Sequence, residues 1–279
     1  MRAYIEILRI PNLLLMGIGV IFGGFIALKT YMFSQDLGLA ALSAALLTAA
    51  ANVMNDIRDL EIDKINRPER PIPSGRISVR VAWTLYAILL SVGILLSGVV
   101  SIECFIIAIL AAILSYIYNR WFKRTGIWGN MIVSSLVSLP FIYGATAVGR
   151  GGNLFIWSLS TAAFFATLGR EILKGIADIK GDRAKGIRTV AVRYGRKVAG
   201  LLVLVFFVIA VMDSWLPIVY EPIGIKYVSF IIITDIGFLI SGLRIFLKPD
   251  PLRALREKKV VLLWMLTAML AYVSEVNIH

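Results

Sequence analysis

The chain has 279 residues, of which 59% are hydrophobic and only 16% charged, with a mean hydropathy of +0.84 and a formal net charge of +12. That excludes an ordinary soluble domain, where about a quarter of the residues would be charged. One His, at position 279, and one Cys, Cys104, exclude His-ligated haem, His-based zinc sites, Ser-His-Asp catalysis and an internal disulfide.

At the N-terminus, Met1 to Arg9 carries no cleavable signal pattern, so the first span is expected to stay in the protein. Crossing the hydrocarbon core takes about 20 mainly apolar residues. Nine stretches meet that need: 11–29, 37–55, 79–100, 102–119, 127–148, 154–173, 198–215, 227–247 and 259–276. The third and fourth meet at Ser101-Ile102-Glu103, which predicts a tight helical hairpin. Gly17, Gly19, Gly23 and Gly24 in the first span predict close helix packing.

With the N-terminus in the cytoplasm, only Lys29, Arg150 and Lys226 of the 29 Lys and Arg fall outside. Basic loops stay in the cytoplasm, so this asymmetry predicts a multi-pass protein of the cell membrane with nine spans and its C-terminus outside. The same asymmetry accounts for the net charge without nucleic acid, for which no basic soluble module is present. Trp121 and Trp128 on one side, and Trp215, Tyr220 and Tyr227 on the other, suit aromatic belts. No Gly/Ser linker divides residues 1–279, so a single all-α membrane domain is expected.

Chemistry gathers where the second span ends, in Asn52-Val53-Met54-Asn55-Asp56-Ile57-Arg58-Asp59-Leu60-Glu61-Ile62-Asp63. Asp56, Asp59 and Asp63 are spaced i, i+3, i+7, so a continuing helix would stack them on one face, with Asn52 a turn earlier and Asn55 beside it. Three stacked carboxylates repel one another, and a hard cation with oxygen ligands removes the conflict. The sixth span ends in Glu171-Ile172-Leu173-Lys174-Gly175-Ile176-Ala177-Asp178-Ile179-Lys180-Gly181-Asp182, where Asp178 and Asp182 share a face with Glu171 and Lys174. Both clusters follow even-numbered spans, which predicts that they lie at the cytoplasmic surface.

Gly75-Arg76-Ile77-Ser78-Val79 and Gly186-Ile187-Arg188-Thr189-Val190 follow the two clusters. They suggest a weak internal repeat, roughly 1–125 and 126–247, plus a final helix. Asp235 is the charge deepest in a span and reads either as functional or as packed against a hydroxyl. A transporter would place its carboxylates at mid-membrane, and the Asp-Gly-x-x-Ala-Arg pattern of CDP-alcohol phosphatidyltransferases is absent.

The residues resemble the UbiA superfamily of intramembrane prenyltransferases. Asn55-Asp56-x-x-Asp59-x-x-x-Asp63 is similar to its first aspartate-rich motif, and Asn66-Arg67-Pro68-Glu69-Arg70-Pro71-Ile72-Pro73-Ser74-Gly75 to one of its most specific signatures. Tyr118-Asn119-Arg120-Trp121-Phe122-Lys123-Arg124, followed by Gly129-Asn130, resembles the loop between its fourth and fifth helices. The second motif departs from the family's three aspartates: position 175 is Gly, leaving Asp178 and Asp182 with Glu171 upstream.

The resemblance implies a nine-helix bundle around a central lipid-accessible chamber, with Mg²⁺ and a prenyl diphosphate held by Asp56, Asp59, Asp63, Asp178 and Asp182, Glu171 being a further ligand candidate. It implies that Asn52, Asn55, Tyr118, Lys123, Asn130, Lys174 and Arg67 contact substrate. Arg9, before Pro11-Asn12, would take an acceptor's phosphate. Arg170-Glu171-Ile172-x-Lys174 and the signature above point within the superfamily to transfer of a geranylgeranyl group onto geranylgeranylglyceryl phosphate. Prenylation of 4-hydroxybenzoate or chlorophyllide is the alternative. The bilayer, a prenyl diphosphate and a lipid phosphate are the implied partners, with the oligomeric state open.

Overall fold

A computed structural model describes residues 2–184 and 186–277. Among these residues the secondary structure is helical apart from one isolated bridge between Thr30 and Asn277. Short α1 (Arg2–Leu8) precedes α2 (Ile10–Leu28) and α3 (Gln35–Arg58). Short α4 (Leu60–Asn66), α5 (Val79–Val100) and α6 (Ile102–Ile117) follow, and a π-helical turn at Tyr118–Phe122 leads to α7 (Ile127–Ala147). Then come α8 (Leu154–Ala177), short α9 (Ile179–Ala184), α10 (Val190–Trp215), short α11 (Pro217–Tyr220), α12 (Ile225–Leu247) and α13 (Pro251–Val273).

The nine expected spans each fall on a long helix, but only seven of the described helices are long and apolar enough to cross a membrane on those grounds alone. α8 and α13 are outside that set. The reason is local: α8 carries Arg170, Glu171 and Lys174 in its last turns, and α13 opens on Arg253, Arg256, Glu257, Lys258 and Lys259.

The chain divides into two compact units. The first holds the described residues up to Gly24, Met32–Arg120 and Pro140–Gly151; the second holds Phe25–Tyr31, Trp121–Leu139 and the described residues from Gly152 on. In the first unit, glycines set the spacing as the sequence predicts. A Cβ on Gly23 would collide with the backbone of Phe141, and one on Gly144 with the backbone of Val20, so α2 and the end of α7 meet backbone to backbone. Ser101 makes the expected hairpin: its amide closes α5 on Ser97 O at 3.2 Å, and its hydroxyl caps α6 by accepting from Cys104 N–H at 3.1 Å. A buried hydroxyl relay links three helices, with Tyr143 donating to Ser43 at 3.0 Å and Ser43 to Gly93 O at 2.7 Å.

The second unit is built around α8 and α10, with α12 and α13 packed against them. Its core joins Ile172, Leu173 and Ile176 of α8 to Val203 and Phe207 of α10, Phe238 and Ile245 of α12, and Val261 of α13. Gly169 admits the Phe207 ring, which stacks edge-on against Phe238 at 5.0 Å. Asp235 is buried and accepts from Trp215 Nε1 at 2.6 Å and the Ser214 hydroxyl at 3.3 Å. Of its two readings, packing against a hydroxyl is the one these contacts describe.

Candidate active site

In the first unit, α3 stops at Arg58 rather than running on through Asp63 as expected from the spacing. Asp59 leaves the helix (φ −88°, ψ 2°), and α4 starts at the next residue. The ladder is nicked rather than lost: Asp59 N–H bonds Asn55 O at 2.9 Å and Asp63 N–H bonds Asp59 O at 2.8 Å. Asp56 and Asp63 therefore still share a face. Both are buried, at 4% and 6% exposure.

A positive group is delivered between them. The Pro71-Ile72-Pro73 turn folds back because Ile72 and Ile77 enter a core cluster with Ile7 and Val53. Ile77 N–H bonds Pro71 O at 3.0 Å, and Gly75 takes a left-handed φ of +74° that a side chain would disfavour. Arg76 fastens the loop to Glu6 at 2.9 Å. The loop carries Arg70 inward, where its guanidinium donates to Asp63 at 2.6 Å and to Asp56 at 3.3 Å.

A second guanidinium arrives from the break between α1 and α2. Arg9 pairs with Asp56 from a left-handed backbone, φ +57°, which a non-glycine residue rarely adopts. Asn52 fixes that break by donating its side-chain amide to Leu8 O at 2.9 Å. Its side chain thus buttresses the break that presents Arg9. Such strain persists only where the surroundings over-determine it, and it clusters at functional sites. Asp59 is half-buried at the nick, beside Asn55; Arg67 is exposed at the end of α4.

The same backbone device appears in the second unit. α8 stops at Ala177, Asp178 leaves the helix (φ −99°, ψ 11°), and α9 begins at Ile179. Asp178 N–H bonds Lys174 O and Asp182 N–H bonds Asp178 O, each at 2.9 Å. Asp178 is exposed and Asp182 partly so, and both line an open cavity of about 850 Å³ with Lys180, Arg196 and Asp250. Glu171, two turns back, is held by Lys174 at 2.8 Å and lies 3.8 Å from Arg170. Gly175 has a local cause: a Cβ there would sit 3.2 Å from the Thr189 side chain, whose hydroxyl caps α10.

The loop containing Lys123 joins this region. Arg188 N–H bonds Arg124 O at 3.2 Å, and Gly126, at φ +69°, allows the two backbones to touch. Asn130 lies in the first turn of α7, its amide bonded to Gly126 O at 3.0 Å. Tyr118 begins the π-helical turn in the first unit.

The donor chemistry can be tested against a divalent ion. Among the described residues, no three His, Cys, Asp or Glu form a cage for a metal by themselves. Magnesium does not need one: it commonly takes one or two carboxylates and completes its shell with water and substrate phosphates. Asp56 and Asp63, oxygen donors drawn to one point by a guanidinium, fit that requirement. Arg70 is the residue the sequence reading passed over as a site residue. Its signal was present in the turn-forming Pro68-Glu69-Arg70-Pro71-Ile72-Pro73 run, which returns the chain toward the acids it has just left.

Fold and site together define a helical, multi-pass membrane protein with acid-bearing breaks at the ends of two long helices. Residues 16–270 match the UbiA prenyltransferase family, and the chain belongs to it. It is 40% identical over 246 residues to a digeranylgeranylglyceryl phosphate synthase from Korarchaeum cryptofilum (strain OPF8), covering 88% of this chain and 86% of that one. A solved structure described as giving insights into the biosynthesis of digeranylgeranylglyceryl phosphate synthase in membranes superposes with a TM-score of 0.92 at 31% identity, covering 99% of this chain and 98% of the other. A UbiA homologue from Archaeoglobus fulgidus bound to GPP and Mg²⁺ shares the fold at a TM-score of 0.67 and 18% identity, over 98% of this chain and 99% of its own.

Proposed function

We propose that the protein transfers the geranylgeranyl group of geranylgeranyl diphosphate to the hydroxyl of geranylgeranylglyceryl phosphate. The products are the second ether bond of an archaeal membrane lipid and free diphosphate. The buried Asp56–Arg70–Asp63 arrangement carries this reading, because it is an anionic site already matched to a cation. The likeness to digeranylgeranylglyceryl phosphate synthases over most of the chain favours the glycerol-lipid acceptor over the aromatic one.

Asp56, Asp59 and Asp63 on one break, and Asp178 and Asp182 with Glu171 on the other, would hold Mg²⁺. When bound, the ion supplies Lewis acidity at the diphosphate oxygens. Arg70, Lys123, Lys174 and Arg67 offset the phosphate charge that remains, and preorganised groups of this kind contribute several kcal/mol to the barrier. Arg9 takes the acceptor's phosphate, with Asn55, Asn130 and Tyr118 orienting the donor. The allylic C1–O bond breaks with its electron pair leaving on diphosphate. The acceptor oxygen forms the new bond at C1, and its proton passes to the departing diphosphate or a site carboxylate. Apolar helices around a lipid-accessible chamber exclude water from the allylic cation. In this reading the N-terminus is cytoplasmic, the C-terminus outside, and the site opens to the cytoplasm, as the basic residues favour.

Purified protein supplied with labelled geranylgeranyl diphosphate and, separately, geranylgeranylglyceryl phosphate, 4-hydroxybenzoate and chlorophyllide tests the proposal. Product with the glycerol lipid alone, abolished by excess EDTA, is expected. Equal turnover of an aromatic acceptor overturns the acceptor assignment, and turnover surviving EDTA overturns the metal.

A further inference from the structure

A trough runs along the surface of the second unit between α12 and α13, and none of the residues assigned to the reaction lines it. It is a cavity of about 330 Å³ lined by Ile233, Ile236, Gly237, Ile240, Ser241 and Arg244 of α12, with Val260 and Trp264 of α13. The α12 residues recur at i, i+3 and i+4, so they form one stripe about 16 Å long at 1.5 Å per residue. Gly237 makes the floor: a Cβ there would run into the Trp264 indole, which lies against the bare backbone and donates to the Ser241 hydroxyl at 3.2 Å. Ile233, Ile236 and Ile240 are exposed. α12 is one of the helices long and apolar enough to cross a membrane, and exposed isoleucines on such a helix suit a hydrocarbon environment.

One end of the trough is cationic. Arg244 closes it with a side chain 58% exposed, which contacts Glu257 Oε1 at 3.4 Å. Exposed Arg256 is one turn before Val260, on the face that also presents Trp264. An apolar trough that ends in the Arg244 guanidinium, with exposed Arg256 one turn before Val260 on the neighbouring helix, is complementary to an amphiphile with an anionic head. We infer that the α12–α13 trough binds a membrane lipid, laying one hydrocarbon chain over Trp264 and its phosphate on Arg244 and Arg256. Arginine suits a phosphate because its planar fork can donate two parallel hydrogen bonds.

This inference does not depend on the proposed reaction. Native mass spectrometry of the full-length protein in detergent, titrated with dioleoyl phosphatidylglycerol, dioleoyl phosphatidylcholine or inorganic phosphate, tests it. One phosphatidylglycerol adduct is expected, held about five-fold more tightly than phosphatidylcholine and undisturbed by inorganic phosphate. Arg244→Gln should lose that preference, Arg244→Lys should keep most of it, and Ile240→Trp, which fills the channel, should lose the adduct of either lipid. Circular dichroism of each variant separates unfolding from loss of binding, and magnesium-dependent diphosphate release from the same preparations reports on the catalytic reading separately. Equal retention of the two lipids by the wild type, or an adduct unchanged in folded Arg244→Gln and Ile240→Trp, overturns the site.

Discussion

The acid-bearing break of the first unit and that of the second are alike in backbone and opposite in electrostatics. Each ends a 24-residue helix at an aspartate with ψ near zero, restarts a short helix, and reaches the next long helix through a left-handed glycine (Gly75, Gly186) and a hydroxyl cap (Ser78, Thr189). Placing Asp59 on Asp178 puts Asp63 on Asp182 and Asp56 on Gly175. In the first unit the two outer carboxylates are buried against Arg70 and Arg9. In the second the pair is more open, and Thr189 crowds the position where the third carboxylate would be. A common backbone device can thus be coupled to the fold's stability in one copy and nearly separable from it in the other.

The largest effect expected from this contrast is on turnover. Asp56→Asn removes a buried charge that two guanidinium groups already organise, and should slow magnesium-dependent diphosphate release by about 10³-fold; Asp178→Asn, in the more open site, should slow it by about 10²-fold. Initial rates of release measure both, and a larger loss for Asp178→Asn would reverse the ranking of the two sites.

Stability sharpens the contrast next. Arg70→Leu leaves two buried carboxylates with only Arg9 to offset them, and removing one partner of a buried pair costs about 3 kcal/mol. Lys174→Leu removes a 43% exposed partner from Glu171, whose side chain is 12% exposed and still has Arg170 at 3.8 Å, so the loss should be nearer about 1 kcal/mol. Denaturant midpoints in detergent compare the two. Equal midpoints would remove the distinction between a fold-coupled and a separable site.

Much of this was legible in the sequence, and the parts that were not share a cause. Hydropathy and charge placed the long helices, and Ser101 marked the α5–α6 hairpin, because apolar length and a lone capping residue are local properties. The i, i+3, i+7 spacing found the face shared by Asp56 and Asp63 but implied an unbroken helix, since the nick at Asp59 changes the axis without changing which residues align. Arg70 was hidden because its role depends on a loop folding back around Ile72 and Ile77, a tertiary event with no periodic signal. Gly175 looked like a missing ligand; its contact with Thr189 depends on how the chain returns into α10.

That contact yields a third test. Gly175→Asp would complete the acidic pattern on paper, yet its Cβ would press on Thr189 in a packed turn, and overpacking of this kind costs about 1–3 kcal/mol. The expected result is a lower denaturant midpoint with no tighter magnesium binding by calorimetry. Tighter binding at unchanged stability would mean that the second break can accept the first one's carboxylate geometry.

The smallest effects come from the caps and probe what the two breaks share. Ser78→Ala and Thr189→Ala each remove a side-chain acceptor from a helix N-terminus and should cost about 1 kcal/mol alone. Their behaviour in combination should differ. Thr189→Ala keeps the Cβ that would lie 3.2 Å from a Cβ at position 175 but removes Oγ1 and Cγ2 at 3.5 and 3.6 Å, so its cost and that of Gly175→Asp should fall short of additive by about 0.5 kcal/mol, as for residues in contact. Ser78 has no counterpart of that contact, and its effect should add to that of Gly175→Asp. A double-mutant cycle on denaturant midpoints reads the difference. Additivity at Thr189 would mean that the glycine is not held there by the cap, and the asymmetry between the two breaks would then need another origin.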